Sequence, residues 1–122
     1  MQVPPLGAAS EIQGVVEAKM LVGLKTVGAR NFQIIHLKLA PGAALGARWN
    51  DFEQVYFTLS GKGVTRVNGK DHLMEPGGLV WLPMGSVHET KNTDDQPLVC
   101  INVSSPPAFS FTEPNHPVKS PE

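Results

Sequence analysis

A chain of 122 residues is long enough for one domain with a real core and too short for two ordinary ones. Its 10 basic and 11 acidic residues leave a formal net charge of −1, with no basic patch suited to nucleic acid and no charged block of the kind that forms a tail. One cysteine, Cys100, excludes an intrachain disulfide framework, and no apolar run approaches the ~18–20 residues of a membrane helix.

Taken in order, residues 1–10 carry two prolines and little periodicity and read as an N-terminal arm. The start, Met1 to Leu6, lacks the basic and apolar regions of a secretion signal, so a cytoplasmic location is expected. Glu11 to Val22 is read as one or two edge strands; a helix over Glu11 to Leu24 is opposed by Gly14 and Gly23. Asn31 to Ala40 alternates, with Ile35, Leu37 and Leu39 on one face and Ile34, His36 and Lys38 on the other. Pro41-Gly42 turns into a strand over Ala43 to Asn50. Glu53 to Leu59 follows, placing Gln54, Tyr56 and Thr58 on one face. Val64 to Val67 and Asp71 to Met74 flank Asn68-Gly69, a strong hairpin signal.

Leu79 to Leu82 is an apolar run that suits a buried strand, and Pro83-Met84-Gly85 punctuates it. Val87 to Thr90 returns as a strand, and Leu98 to Ser104 closes the fold, with Cys100 a buried thiol. Pro106-Pro107 ends that strand, since proline cannot donate to a ladder. The proline-rich tail over 105–122 cannot make its own core and is expected to drape over the barrel or a partner. Many short strands between Gly/Pro turns indicate an all-β sandwich or jelly roll.

Two stretches carry more than composition does. Gly77, Pro83, Gly85, His88 and Asn92 are spaced as Gly, five residues, Pro-x-Gly, two residues, His, three residues, Asn. That resembles the second sequence motif of the cupin superfamily at every fixed position. The frame of the first motif is also present, opened by Pro41-Gly42 and closed by Gly61. The resemblance covers roughly residues 30–105 and implies a single-domain cupin jelly roll, or double-stranded β-helix barrel, and a homodimer. In that family the His of the second motif is a metal ligand. Here, however, Arg48 and Asn50 stand at the two His positions of the first motif and Gln54 at its Glu position. Some small cupins that resemble this chain, including those associated with uronate and pectin-sugar breakdown, carry Gln there and end on a sequence similar to Ser104-Ser105-Pro106-Pro107.

These departures shape the functional expectation. Guanidinium is always charged, accepts no hydrogen bond and repels a cation. One imidazole and two neutral amides beside it are a poor home for Zn, Fe, Ni or Mn. No cofactor is therefore expected, with a weak divalent site at Gln54, His88 and Asn50 as the alternative. The same residues suit a carboxylate or phosphate, which Arg48 can hold bidentately. Asn50 and Gln54 add neutral donors and acceptors, Trp49 and Trp81 would wall the pocket, and His88 with Tyr56 would move protons. The leading expectation is an isomerase, epimerase, cyclase or lyase acting on a polar or anionic small molecule. The alternatives are a metal-dependent dioxygenase or sugar-acid enzyme and a non-catalytic binding or sensing module, because fold gives little help in choosing. Arg48 turned to solvent, or a one-residue slip bringing Glu53 inward in place of Gln54, would undo this expectation.

Overall fold

The computed structural model describes residues 12–105 and the backbone of 115–117. The expected arm over 1–10 and all of the tail past Ser105 except 115–117 lie outside the described residues. Eleven strands and one helical turn follow in order: β1 (Ile12–Gln13), β2 (Val16–Val22), α1 (Leu24–Val27), β3 (Gln33–Leu39), β4 (Ala44–Asn50), β5 (Glu53–Ser60), β6 (Gly63–Val67), β7 (Lys70–Met74), β8 (Leu79–Leu82), β9 (His88–Asn92), β10 (Leu98–Ser105) and β11 (Asn115–Pro117). They make two antiparallel sheets, one ordered β1-β4-β9-β6-β7 with β11 also on β4, the other β2-β3-β10-β5-β8. This is the expected all-β jelly roll. Ile12–Gln13 and Val16–Val22 are strands, not a helix, and among the described residues the one helical turn follows Gly23.

The five-stranded sheet explains where a site can form. Registers across β3, β10 and β5 bring inward-facing residues into rows: Gln33, Ser104 and Gln54; then Ile35, Asn102 and Tyr56; then Leu37, Cys100 and Thr58; then Leu39 with Leu98. The rows grade from polar to apolar along the barrel. Leu39, Leu98 and Met74 fill the apolar end, and Leu82, level with Gln54, belongs to the same buried cluster. Period-two alternation therefore gives each strand both a share of the core and a share of the polar end.

The run Leu79 to Leu82 is not buried throughout. β8 pairs only with β5 at the sheet edge, so its residues alternate: Val80 and Leu82 face the core, while Leu79 is 68% exposed and Trp81 58%. An apolar run alone cannot distinguish a central strand from an edge strand with an apolar outer face.

Turns and staples hold the barrel ends. Asn68 and Gly69 both have positive φ, as the two central residues of a type I′ hairpin require. Asn68 also accepts from the Val87 amide through Oδ1 at 2.9 Å and donates its own amide to the Val87 carbonyl at 2.8 Å, which fixes the residue before His88. Asn92 is fully buried and fully bonded: Nδ2 donates to the carbonyls of Leu39 (3.0 Å) and Gln96 (2.8 Å), and Oδ1 accepts from the Asp94 amide. Gly61 has φ +81, and a Cβ there would be driven into the Pro97 carbonyl. Gly61→Ala combines backbone strain with a clash against main chain, so it should cost at least about 3 kcal/mol in urea unfolding, against a few tenths for a substitution at exposed Lys62.

Candidate functional site

One strand irregularity decides what the cavity contains. On β4, Leu45 pairs with Thr90 but Arg48 pairs with His88, so β4 carries one extra residue between them. Leu45 and Arg48 are three positions apart, and strict alternation would put them on opposite faces. The bulge reverses the parity, and both line the same cavity. Arg48 Nε donates to the Gly46 carbonyl within the bulge at 3.1 Å, so the irregularity also holds the side chain it redirects.

The cavity has a volume of about 230 Å³. Its polar end is made by Arg48, Gln54, Tyr56, His88 and Asn102. Four of the residues expected to form a site therefore line one cavity, Arg48 and His88 from one sheet and Gln54 and Tyr56 from the other. Asn50 is buried behind them and positions rather than lines: its Nδ2 donates to Gln54 Oε1 and reaches His88 Nε2, both at 3.2 Å. Trp49 and Trp81 do not wall the pocket. Trp49 is 36% exposed, and Trp81 donates its indole N–H to Glu53 on the outer surface at 2.6 Å. Both lie one residue out of phase with the inward positions, Trp49 between Arg48 and Asn50, Trp81 between Val80 and Leu82.

Asn102 and Ser104 were absent from the sequence expectation. The signal was present, because two polar residues spaced by two interrupt the apolar β10. Gln54 Nε2 donates to Asn102 Oδ1 and to Ser104 Oγ, each at 3.2 Å, and Ser104 Oγ donates to Asn102 Oδ1 at 3.0 Å. This directional network leaves two buried ends without partners, Asn50 Oδ1 and Asn102 Nδ2. Asn102 belongs to the cavity lining, but its Nδ2 is itself buried and lacks an acceptor.

A second chain orients Tyr56. Its hydroxyl meets Thr90, Thr90 meets Thr65 at 2.9 Å, and Thr65 donates to Met74 Sδ at 3.1 Å. The hydrogen bond with Thr90 works against the rise that burial gives the phenol.

Burial sets the charge state. It pushes the Tyr56 phenol up to about 12 and lowers Arg48, which stays cationic in any ordinary buffer. His88, 5% exposed, is pushed down to about 3, first by burial and then by the Arg48 charge. Near neutral pH the imidazole is uncharged, and its Nε2 carries the lone pair that accepts from Asn50. Arg48 is thus the one charged group on the wall, and no carboxylate among the described residues pairs with it; the ion pairs found there belong to Arg66.

These donors do not suit a resident divalent metal. Imidazole nitrogen comes from His88 alone, the other neighbours are neutral amides, and a fixed cation stands beside them. No group of three or more His, Cys, Asp or Glu able to hold a metal comes together among the described residues.

Residues 35–104 match the family model described as the cupin domain. Among curated proteins, an oxalate-binding protein of Thermotoga maritima is 29% identical over 92 residues, 75% of this chain and 76% of that protein. Among solved structures, a cupin-like protein of Thermotoga maritima superposes with a TM-score of 0.76 at 25% identity, covering 98% of this chain and 88% of the other. The polyketide cyclase RemF from Streptomyces resistomycificus shares the fold with a TM-score of 0.73 at 17% identity, over 88% and 73% of the two chains.

The depressed imidazole makes stability depend on pH in a defined direction. As pH falls from 6.5 toward about 3, the unfolded chain protonates this histidine while the native fold resists. Stability attributable to His88 is therefore complete above the first value and lost on acidification, at up to about 1.4 kcal/mol per pH unit. Urea unfolding of wild type and His88→Gln should show a shallower loss for the variant between about pH 6 and about pH 4.

Proposed function

This chain belongs to the cupin family, and on that premise we propose that its barrel binds a small organic anion through a carboxylate, without a metal. The observation that carries this reading is Arg48, a guanidinium in the cavity wall with no carboxylate partner among the described residues. A half-buried charge without a counter-charge is costly, and an entering anion relieves that cost while gaining bidentate hydrogen bonds. The relative named for binding oxalate supports a carboxylate as the recognised group.

Proton transfer is the chemistry that this pocket supports, of the isomerase, epimerase, cyclase or lyase kind. A carboxylate beside Arg48 offsets the positive charge that helps depress His88, so the loaded pocket holds a stronger base than the empty one. Asn50 Oδ1, buried without a partner, is the acceptor that a rotated amide would turn to a protonated ring. Tyr56, kept protonated by burial, lines the same cavity as a candidate proton donor to the ligand.

Thermal-shift and calorimetric titration with small carboxylates should show saturable binding to wild type. Arg48→Gln should weaken it by about tenfold or more, as expected for loss of a charge-assisted pair. His88→Gln should retain binding. Unchanged affinity in folded Arg48→Gln would end the proposal.

The family's expected homodimer has a candidate surface. Phe57, Leu79 and Trp81 form an exposed apolar patch on the outer face of paired β5 and β8. Sedimentation should give a dimer mass for wild type and a monomer mass for Leu79→Glu.

A further inference from the structure

The carboxylate reading above leaves open what the rest of the ligand is, and the apolar part of the cavity lining addresses that. Beside the polar residues, the lining is Val16, Ala18, Ile35, Leu37 and Leu45, with Ile12 from β1. None of these side chains donates or accepts a hydrogen bond. Ile35 and Leu37 are buried, while Ile12 and Ala18 are exposed on the edge strands β1 and β2. Among the described residues, the lining on β1, β2 and β3 is thus wholly apolar, and the one fixed positive charge comes from β4.

Each part restricts the ligand. A second carboxylate would find no second cation on the lining, and a charge buried without a partner is strongly disfavoured. Hydroxyl groups directed at Ile35, Leu37 and Leu45 would give up water and gain no hydrogen bond. A hydrocarbon body of similar size loses nothing there and buries apolar surface. The volume, about 230 Å³, lies below the ~300–1,000 Å³ range of pockets for drug-sized ligands, so the body is small.

Resting on the carboxylate proposal, we infer that this pocket selects a small monocarboxylic acid with a hydrocarbon body, carboxylate on Arg48 and hydrocarbon against β1, β2 and β3. Dicarboxylates and polyhydroxylated sugar acids are disfavoured.

Calorimetry on the full-length protein with isovalerate, benzoate, oxalate and gluconate tests this. Isovalerate or benzoate should bind about tenfold or more tightly than oxalate or gluconate. Val16→Thr, close to isosteric and at a half-buried position, should weaken isovalerate several-fold and leave oxalate unchanged. Tighter binding of oxalate or gluconate, with loss in Arg48→Gln, would overturn the hydrocarbon selection and leave the carboxylate reading standing. Failure of all four acids to bind folded protein would overturn both.

Discussion

Among the described residues, a single positive charge lines the cavity without a counter-charge, and the electrostatics of its neighbours follow from it. The one-residue bulge in β4 directs Arg48 inward, and the Gly46 carbonyl within that bulge holds it. Its field, after burial, helps to keep His88 neutral and lies close enough to Tyr56 to counter part of the rise in the phenol. The neighbouring groups are consequently uncharged, and the cavity presents one localised cation to whatever enters.

The surrounding polar side chains are arranged to tolerate that charge without neutralising it. Asn50, Gln54, Asn102 and Ser104 satisfy one another in a directional series, and Tyr56, Thr90 and Thr65 form another that ends on Met74. Buried networks of this kind are rigid because most rotations leave a group unsatisfied. Two amide atoms, Asn50 Oδ1 and Asn102 Nδ2, are buried without partners even so. Where the family's resemblance leads one to expect coordinating imidazoles, this chain has substituted a hydrogen-bonding platform with a net charge.

Much of this was legible in the residues. Motif spacing placed the turns, and period two correctly set Gln54, Tyr56 and Thr58 inward on β5. The inward course of Arg48 was readable from the motif frame but not from alternation, because a bulge leaves no obvious mark in Ala44-Leu45-Gly46-Ala47-Arg48. The tryptophans were misplaced for a related reason. Large aromatic residues were credited to the cavity by type, whereas their phase along β4 and β8 puts them outside. Asn102 and Ser104 were missed because Leu98 to Ser104 was read as an apolar closing strand, and the two polar residues within it carried no motif. Across strands, only the register of β10 against β5 shows that they meet Tyr56 and Gln54.

The placement of the aromatic groups has a practical consequence for anyone watching this molecule by light. The sequence holds one tyrosine and two tryptophans. The tyrosine belongs to the cavity, and both indoles sit at exposed positions. Indole emission is therefore a signal from the exterior, Trp49 on one sheet and Trp81 on the other. Replacing either indole leaves an indole fluorophore on a single sheet, so the two outer surfaces can be watched one at a time.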